Sequence, residues 1–144
     1  MKLRIMLVDD YAPFREAMCM FLELQEDIDS VLEVDNANDF LEAYQKSMID
    51  VVCMDVSLQG LDGAELTRQL LTFAPDARVV GLSGHADLQS VARMIKAGAL
   101  GYAIKGSPAE QLLKAIRAAS RYVNYFDTAL NIRTLDDLQG YLNP

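Results

Sequence analysis

Short apolar runs of β-type residues alternate with amphipathic helical segments along most of this chain, and this alternation constrains the fold more than any other feature. The clearest runs are Leu3–Val8, Ile49–Met54, Val79–Leu82 and Gly101–Ile104. Strands that alternate with helices pack as a parallel sheet, because each helix carries the chain back to the start of the next strand. We therefore predict a three-layer α/β/α fold, in which helices cover both faces of a parallel sheet.

Five strands and five helices account for the pattern up to about residue 121. The fifth strand is a weaker run at Val31–Val34, and Ile49–Met54 is apolar enough to be central. The first helix is predicted to begin with Pro13 at its N1 position, and the second covers Asp39–Lys46 behind a cap at Asn36 or Asn38. Further helices are predicted around Leu66 and Leu70, over Leu88–Lys96 with Gly98 after its end, and after Ser107. The run Ser107-Pro-Ala-Glu110 predicts a capping box for the last helix.

Polar side chains follow four of these strands at the point where each apolar run stops. They are Asp9 and Asp10, Asp55, Ser83 and Lys105. The carboxyl ends of parallel strands meet at one edge of the sheet, so we expect these side chains to converge. Carboxylates suit a divalent cation, and an aspartate can accept a phosphoryl group as a nucleophile. Asp9 and Asp10 are therefore candidate metal ligands and Asp55 the candidate nucleophile, while Lys105 and Ser83 can contact phosphoryl oxygens.

Composition limits the alternatives. The chain has 144 residues, about one domain, and a formal net charge of −8, which argues against non-specific binding to nucleic acid. Cys19 and Cys53 lie in apolar segments and have neither metal-binding spacing nor a disulfide pattern. No apolar stretch approaches the length of a membrane span, which needs about 18 residues. We expect a cytoplasmic protein that does not contact membranes.

In four motifs the sequence resembles the receiver domains of two-component response regulators. The motifs are Leu7-Val-Asp-Asp10, Met54-Asp-Val-Ser-Leu-Gln-Gly-Leu-Asp-Gly63, Gly81-Leu-Ser-Gly84 and Gly101-Tyr-Ala-Ile-Lys105. The resemblance covers about residues 2–121. It implies a flavodoxin-like, doubly wound sheet of five parallel strands in the order 2-1-3-4-5, with five helices.

The resemblance also implies a role for each site residue. Asp55 would accept a phosphoryl group from a phosphohistidine on a sensor histidine kinase. Asp9, Asp10, Asp55 and the backbone carbonyl of Ser57 would bind Mg²⁺. Ser83 would turn toward the phosphoryl group, Tyr102 would follow from an outward to an inward rotamer, and the last helix–strand–helix face would report the change. The protein would be a phosphoacceptor with at most slow self-dephosphorylation rather than an enzyme, and His85 and Ser57 would set the lifetime of the acyl phosphate.

The stretches Gly101–Ala119 and Tyr125–Leu130 resemble the NarL/FixJ type of receiver. Members usually continue into a helix-turn-helix domain, which this chain is too short to hold. We therefore expect a receiver fragment of a transcription regulator that can form a homodimer and that contacts DNA only through the missing domain. A stand-alone receiver is the alternative. Two positions that are often proline in the family are Gln59 and Gly106 here, which predicts a looser loop after Asp55.

Residues 1–121 are predicted to form the receiver and residues 122–144 a linker or a short extra helix. In the second reading, Thr134 caps a helix that carries Leu135, Leu138 and Leu142 on one face and packs on a partner or a second copy. Two other functions are less compatible with these residues. A haloacid-dehalogenase-like phosphatase would need a second aspartate where Ser57 stands, and a constitutive interaction module would normally lose an acidic or lysine position.

Overall fold

The computed structural model describes residues 2–143. The strands are β1 (Leu3–Val8), β2 (Ile28–Val34), β3 (Val51–Asp55), β4 (Ser57–Leu58), β5 (Leu61–Asp62), β6 (Val79–Ser83), β7 (Gly101–Ile104) and β8 (Tyr125–Phe126). The helices are α1 (Ala12–Glu23), α2 (Ala37–Lys46), α3 (Gly63–Phe73), α4 (Leu88–Lys96), α5 (Ala109–Ala119) and α6 (Gln139–Leu142). Two 3₁₀ turns, Thr128–Leu130 and Leu135–Leu138, lie between β8 and α6.

Across residues 2–143 the main sheet has six parallel strands in the order β2-β1-β3-β6-β7-β8. The first five keep the predicted 2-1-3-4-5 arrangement, and the fold is flavodoxin-like as predicted. The predicted counts of five strands and five helices are too low, because the segment after α5 adds β8 at the sheet edge and α6 beyond it. A small antiparallel hairpin, β4–β5, forms the loop after Asp55.

The core lies on both faces of the sheet because the side chains of a strand alternate between its faces. On one face, Val52 and Met54 pack with apolar residues of α2, α3 and α4. On the other, Val51 and Cys53 pack with residues of α1 and α5. Strand β3 is buried along its whole length, as the continuous apolar run predicted.

Helix ends follow the predicted chemistry with one exception. The Asn36 side chain accepts a hydrogen bond from the Asp39 amide at 2.9 Å, which caps α2. Gly98 follows α4 with a φ of +112°, a conformation that favours glycine. The predicted capping box at Ser107 is wrong: α5 begins at Ala109 behind Pro108, and the Ser107 hydroxyl bonds Asp127 instead.

The segment from Tyr125 to Leu142 packs on the rest of the fold. Strand β8 pairs with β7, and α6 contacts α4. Leu138 is buried, and Thr134 is the N-cap of the turn at Leu135–Leu138. The Asp137 carboxylate accepts hydrogen bonds from the Thr134 amide at 3.4 Å and from the Arg133 amide at 2.8 Å. The division of the chain at residue 121 stays a prediction. Among residues 2–143, the structure has no helix with the length and apolarity needed to cross a membrane.

Candidate functional site

Four neighbouring strands of the sheet bring the predicted site residues together. Asp9 and Asp10 follow β1, Asp55 ends β3, Ser83 ends β6 and Lys105 follows β7. Because β1, β3, β6 and β7 are adjacent and parallel, these ends lie along one edge of the sheet. The backbone also ties two of them directly, since the Lys105 amide donates to the Ser83 carbonyl at 2.7 Å.

Three carboxylates form the acidic part of the site. One oxygen each from Asp9, Asp10 and Asp55 lie within 4.8 Å of one another, with Asp9 and Asp55 buried and Asp10 exposed. Oxygen ligands at this separation suit a hard divalent cation such as Mg²⁺, which binds a few carboxylates and keeps several waters. The donor set therefore fits the cation, and the exposed side chain of Asp10 leaves the site open to solvent.

Lys105 counters part of this negative charge. Its ammonium lies 2.6 Å from Asp9 Oδ2, as an ion pair without hydrogen-bond alignment, and 3.1 Å from Asp55 Oδ2. Burial alone would lower the pKa of Lys105, but the contacts with Asp9 and Asp55 outweigh it and raise that pKa. The ring of Phe14 faces the same ammonium at 5.3 Å, a cation–π distance.

Asp55 is the buried carboxylate at the centre of this group. Its pKa is raised, chiefly by burial and further by Asp9, against the lowering effects of the Ser57 amide and Lys105. The Ser57 amide donates to Asp55 Oδ1 at 3.1 Å, so the loop that follows β3 folds back on its carboxylate. The Gln59 amide likewise holds Asp10 Oδ2 at 2.9 Å. Both amides belong to the segment after β3, so this segment restrains two of the three carboxylates.

A cavity of about 560 Å³ opens between Ser83 and the loop that follows Asp55. Ser57, Ser83 and His85 contribute to its lining, and the Ser83 hydroxyl accepts a hydrogen bond from the His85 amide at 3.1 Å. His85 is exposed at the mouth. An ion pair between Asp62 and Arg93 bridges the β4–β5 loop and α4 on the far side.

Tyr102 is completely buried, in the inward position that the resemblance implied as one of its two rotamers. Its hydroxyl has no hydrogen-bond partner among residues 2–143, and burial raises the pKa of this group to about 12. Gly81 on the adjacent strand makes room for the ring, because a Cβ there would lie 2.9 Å from Tyr102 Cδ2.

Three residues at this edge of the sheet were missed from the sequence. Phe14 lies in the first turns of α1, where its aromatic character reads as ordinary core. Arg15 donates to the Asp9 backbone carbonyl at 2.8 Å and pairs with Glu33. Asp127 follows the apolar pair Tyr125–Phe126, so it repeats the strand-end pattern of Asp55, but the run is too short to stand out.

Comparison with known proteins agrees with the fold and the motifs. A family model described as the response regulator receiver domain matches residues 5–117. The transcriptional regulatory protein LiaR of Bacillus subtilis is 34% identical over 119 residues, which are 83% of this chain and 56% of that protein. The transcriptional regulatory protein DegU of Brevibacillus brevis is 31% identical over 142 residues, 99% of this chain and 60% of that protein.

The solved structures give the same result. The crystal structure of a two-component response regulator of the LuxR family from Aurantimonas sp. SI85-9A1 superposes with a TM-score of 0.82 at 27% identity. The match covers 99% of this chain and 96% of that one. The chain spans 56–60% of the length of the two curated relatives. The matched family model, the two relatives and the shared fold together show that this chain belongs to the receiver domain family of two-component response regulators.

Proposed function

We propose that Asp55 accepts a phosphoryl group from the phosphohistidine of a sensor histidine kinase, with Mg²⁺ bound by Asp9, Asp10, Asp55 and the Ser57 carbonyl. The observation that carries the proposal is the placement of Asp55: it is buried, lies within 4.8 Å of two other carboxylates and contacts Lys105. Mg²⁺ would neutralise the carboxylates and the incoming phosphoryl oxygens.

The transfer is a displacement at phosphorus. A carboxylate oxygen of Asp55 forms the new O–P bond, and the bond from phosphorus to the donor atom breaks, with its electron pair leaving on the donor. The Lys105 ammonium, now shared by Asp9 and Asp55, is positioned to contact a phosphoryl oxygen, and the Ser83 hydroxyl supplies a second contact. The raised pKa of Lys105 keeps it charged for this role.

The test is phosphorylation by a small donor. The protein is incubated with acetyl phosphate and Mg²⁺, and its intact mass is measured. We expect one labile phosphoryl adduct in the wild type and none in Asp55→Asn. Asp29→Asn is a matched control, because Asp29 is an exposed carboxylate on β2 and should keep the adduct. An adduct that survives in Asp55→Asn would contradict the proposal, and rapid repeated release of phosphate would indicate a phosphatase instead.

The lifetime of the adduct should depend on the residues at the cavity mouth. Ser57 and His85 are exposed and line the cavity that adjoins the loop after Asp55. We propose that they set the rate of self-dephosphorylation. After removal of the donor, His85→Ala and Ser57→Ala should lose the adduct at rates that differ from the wild type, whereas unchanged rates would exclude this role.

We further propose that phosphorylation controls transcription through a DNA-binding domain outside this chain, with Ser83 and Tyr102 as switch residues. LiaR and DegU, which are named as transcriptional regulatory proteins, are longer than this chain and support the proposal. In the full-length protein, Asp55→Asn should abolish phosphorylation-dependent promoter occupancy. Sedimentation of the chain with and without acetyl phosphate tests whether phosphorylation also drives homodimer formation.

A further inference from the structure

Asp127 is a fully buried carboxylate that the proposed reaction does not use, and it lies in the segment after α5. Its oxygens accept three hydrogen bonds. Oδ2 accepts from the Ile104 amide at 2.8 Å, and Oδ1 accepts from the Ser107 hydroxyl and the Ala129 amide, each at 3.0 Å. A buried carboxylate is retained only where such donors replace water, so this arrangement is specific.

Two of these donors flank Lys105 on either side. Ile104 directly precedes it and Ser107 lies two residues after it, and the Ser107 amide also bonds the Ile104 carbonyl at 3.1 Å. The Asp127 carboxylate therefore closes the loop that carries Lys105. On its other side, the same loop is held by the bond from the Lys105 amide to the Ser83 carbonyl.

The hydrogen bonding at the edge of the sheet explains why the Ile104 amide needs a side-chain acceptor. Strand β8 ends after Phe126, and the Asp127 amide makes the last backbone bond, to the Tyr102 carbonyl at 2.9 Å. The Ile104 amide is the next donor on this side of β7. The Asp127 carboxylate replaces the missing backbone acceptor, and it ties the loop to the C-terminal segment.

We propose that Asp127 is a positioning residue for Lys105: its carboxylate fixes the Ile104–Ser107 loop so that the lysine ammonium stays between Asp9 and Asp55. The proposal deepens the function proposed above and rests on it for the consequence on phosphotransfer. Its structural part, the position of the ammonium, can be measured without any phosphoryl group.

The first test is competitive labelling of lysine amines by limiting acetic anhydride, read by peptide mass spectrometry. Lys96 is exposed on α4 and serves as the internal reference. In Asp127→Asn we expect Lys105 to be labelled several times faster relative to Lys96 than in the wild type. Leu138→Ala is the control, because Leu138 is buried in the same segment but its apolar side chain makes none of these bonds. Equal labelling in wild type and Asp127→Asn, or equally fast labelling in Leu138→Ala, would overturn the proposal.

The second test uses the rate of phosphorylation by acetyl phosphate. Misplacing a group that acts on the reacting atoms lowers the reaction rate by about tenfold or more. Asp127→Asn should therefore lower the rate of phosphorylation by about that factor relative to the wild type. In a Lys105→Ala background the same substitution should have little effect, because Asp127 acts through the lysine. An equal loss in both backgrounds would refute positioning through Lys105.

The outcomes separate this inference from the proposed function. A wild type that takes no adduct contradicts the proposed function, while the labelling result still decides the position of Lys105. If Asp127→Asn does not fold by circular dichroism, Ser107→Ala replaces it in both tests. Ser107 is half-buried, and its replacement by alanine removes only one of the three hydrogen bonds to Asp127. We therefore expect a smaller effect in the same direction.

Discussion

Lys105 lies between two buried carboxylates, and its contacts with both of them govern the charge balance of the site. Three aspartates meet at the sheet edge, whereas Lys105 is the cation within ion-pair distance of Asp9 and Asp55 among the described residues. The site therefore keeps an excess of negative charge, which opposes folding and favours a bound cation.

Replacing Asp55 by Asn should stabilise the protein near neutral pH when metal is chelated. The pKa of Asp55 is raised by burial, so the folded state holds its proton more tightly than the unfolded chain. The protonated Asp55 carboxyl therefore contributes to folding stability. This contribution is complete below the pKa that Asp55 has in the unfolded chain, and it is lost as the pH rises through the higher pKa that Asp55 has in the folded protein. At pH 7 we expect Asp55→Asn to melt about 2–4 °C above the wild type, or about 1 kcal/mol for a domain of this size.

The difference should shrink toward pH 4, because the raised pKa of Asp55 means that the wild-type carboxyl takes up its proton as the pH falls. Differential scanning calorimetry in EDTA at both pH values measures it, with Asp29→Asn as the control for the loss of one exposed charge. Lys105 keeps its contact with Asp9 in the variant, so it is not left unpaired. A lower melting temperature for Asp55→Asn at pH 7 would contradict this charge balance.

The two cysteines should be unreactive in the folded protein. Burial raises the pKa of the Cys53 thiol to about 12, and burial together with Glu33 and Glu23 raises that of Cys19 to about 12. Because the thiolate is the reactive form, Ellman's reagent at pH 8 should modify neither thiol on the minute timescale. Both should react at once in denaturant, which is the control, and a fast-reacting thiol in the native protein would contradict the packing.

Strands β6 and β7 are in close contact at Gly81, where the ring of Tyr102 occupies the space that a side chain at position 81 would need. The Tyr102 ring covers Gly81, and Met94 of α4 contacts the same point. The switch role proposed for Tyr102 thus depends on a glycine in the neighbouring strand. The inward ring fills this space, and an outward ring would leave it open.

A methyl group at position 81 should therefore destabilise the fold. The new Cβ would lie 2.9 Å from Tyr102 Cδ2 and 3.3 Å from Met94 Cε, closer than atoms pack. We expect Gly81→Ala to lower the free energy of unfolding by about 1–3 kcal/mol in urea titrations and to change the tyrosine near-ultraviolet circular dichroism. Gly84→Ala is the matched control, since a Cβ there meets no atom within 4 Å. Equal stability of the two variants would show that Tyr102 relaxes without cost.

The sheet as a unit places the proposed metal ligands, so binding of a cation there should be coupled to global stability. A ligand that binds only the folded state stabilises it by about 2.7 kcal/mol at a hundred times its dissociation constant. We expect the melting temperature to rise with Mg²⁺ and to fall when EDTA removes it. Asp10→Asn should lose most of the rise and still fold, because Asp10 is exposed. A rise of the same size in Asp10→Asn would exclude it as a ligand.

The extent to which the fold and the candidate site could be predicted from the sequence differs between elements. The parallel sheet, the central position of β3 and the meeting of Asp9, Asp55, Ser83 and Lys105 follow from local periodicity, because each strand ends where its apolar run stops. Strand β8 was missed because two residues carry no detectable period. The Ser107 cap was predicted wrongly because its hydroxyl has a competing acceptor in Asp127, far away in sequence.

The amino-acid sequence alone was enough to identify the fold class, the strand-end residues and the family, since these depend on side-chain type and spacing along the chain. The contacts that adjust the site depend on the assembled fold. Phe14 faces Lys105, Gly81 admits Tyr102, and Asp127 holds the loop of Lys105 from a segment that the sequence suggested was a linker or a short helix. Each of these contacts joins residues from different elements. Only tertiary packing brings those elements together, so no local sequence pattern could have predicted the contacts.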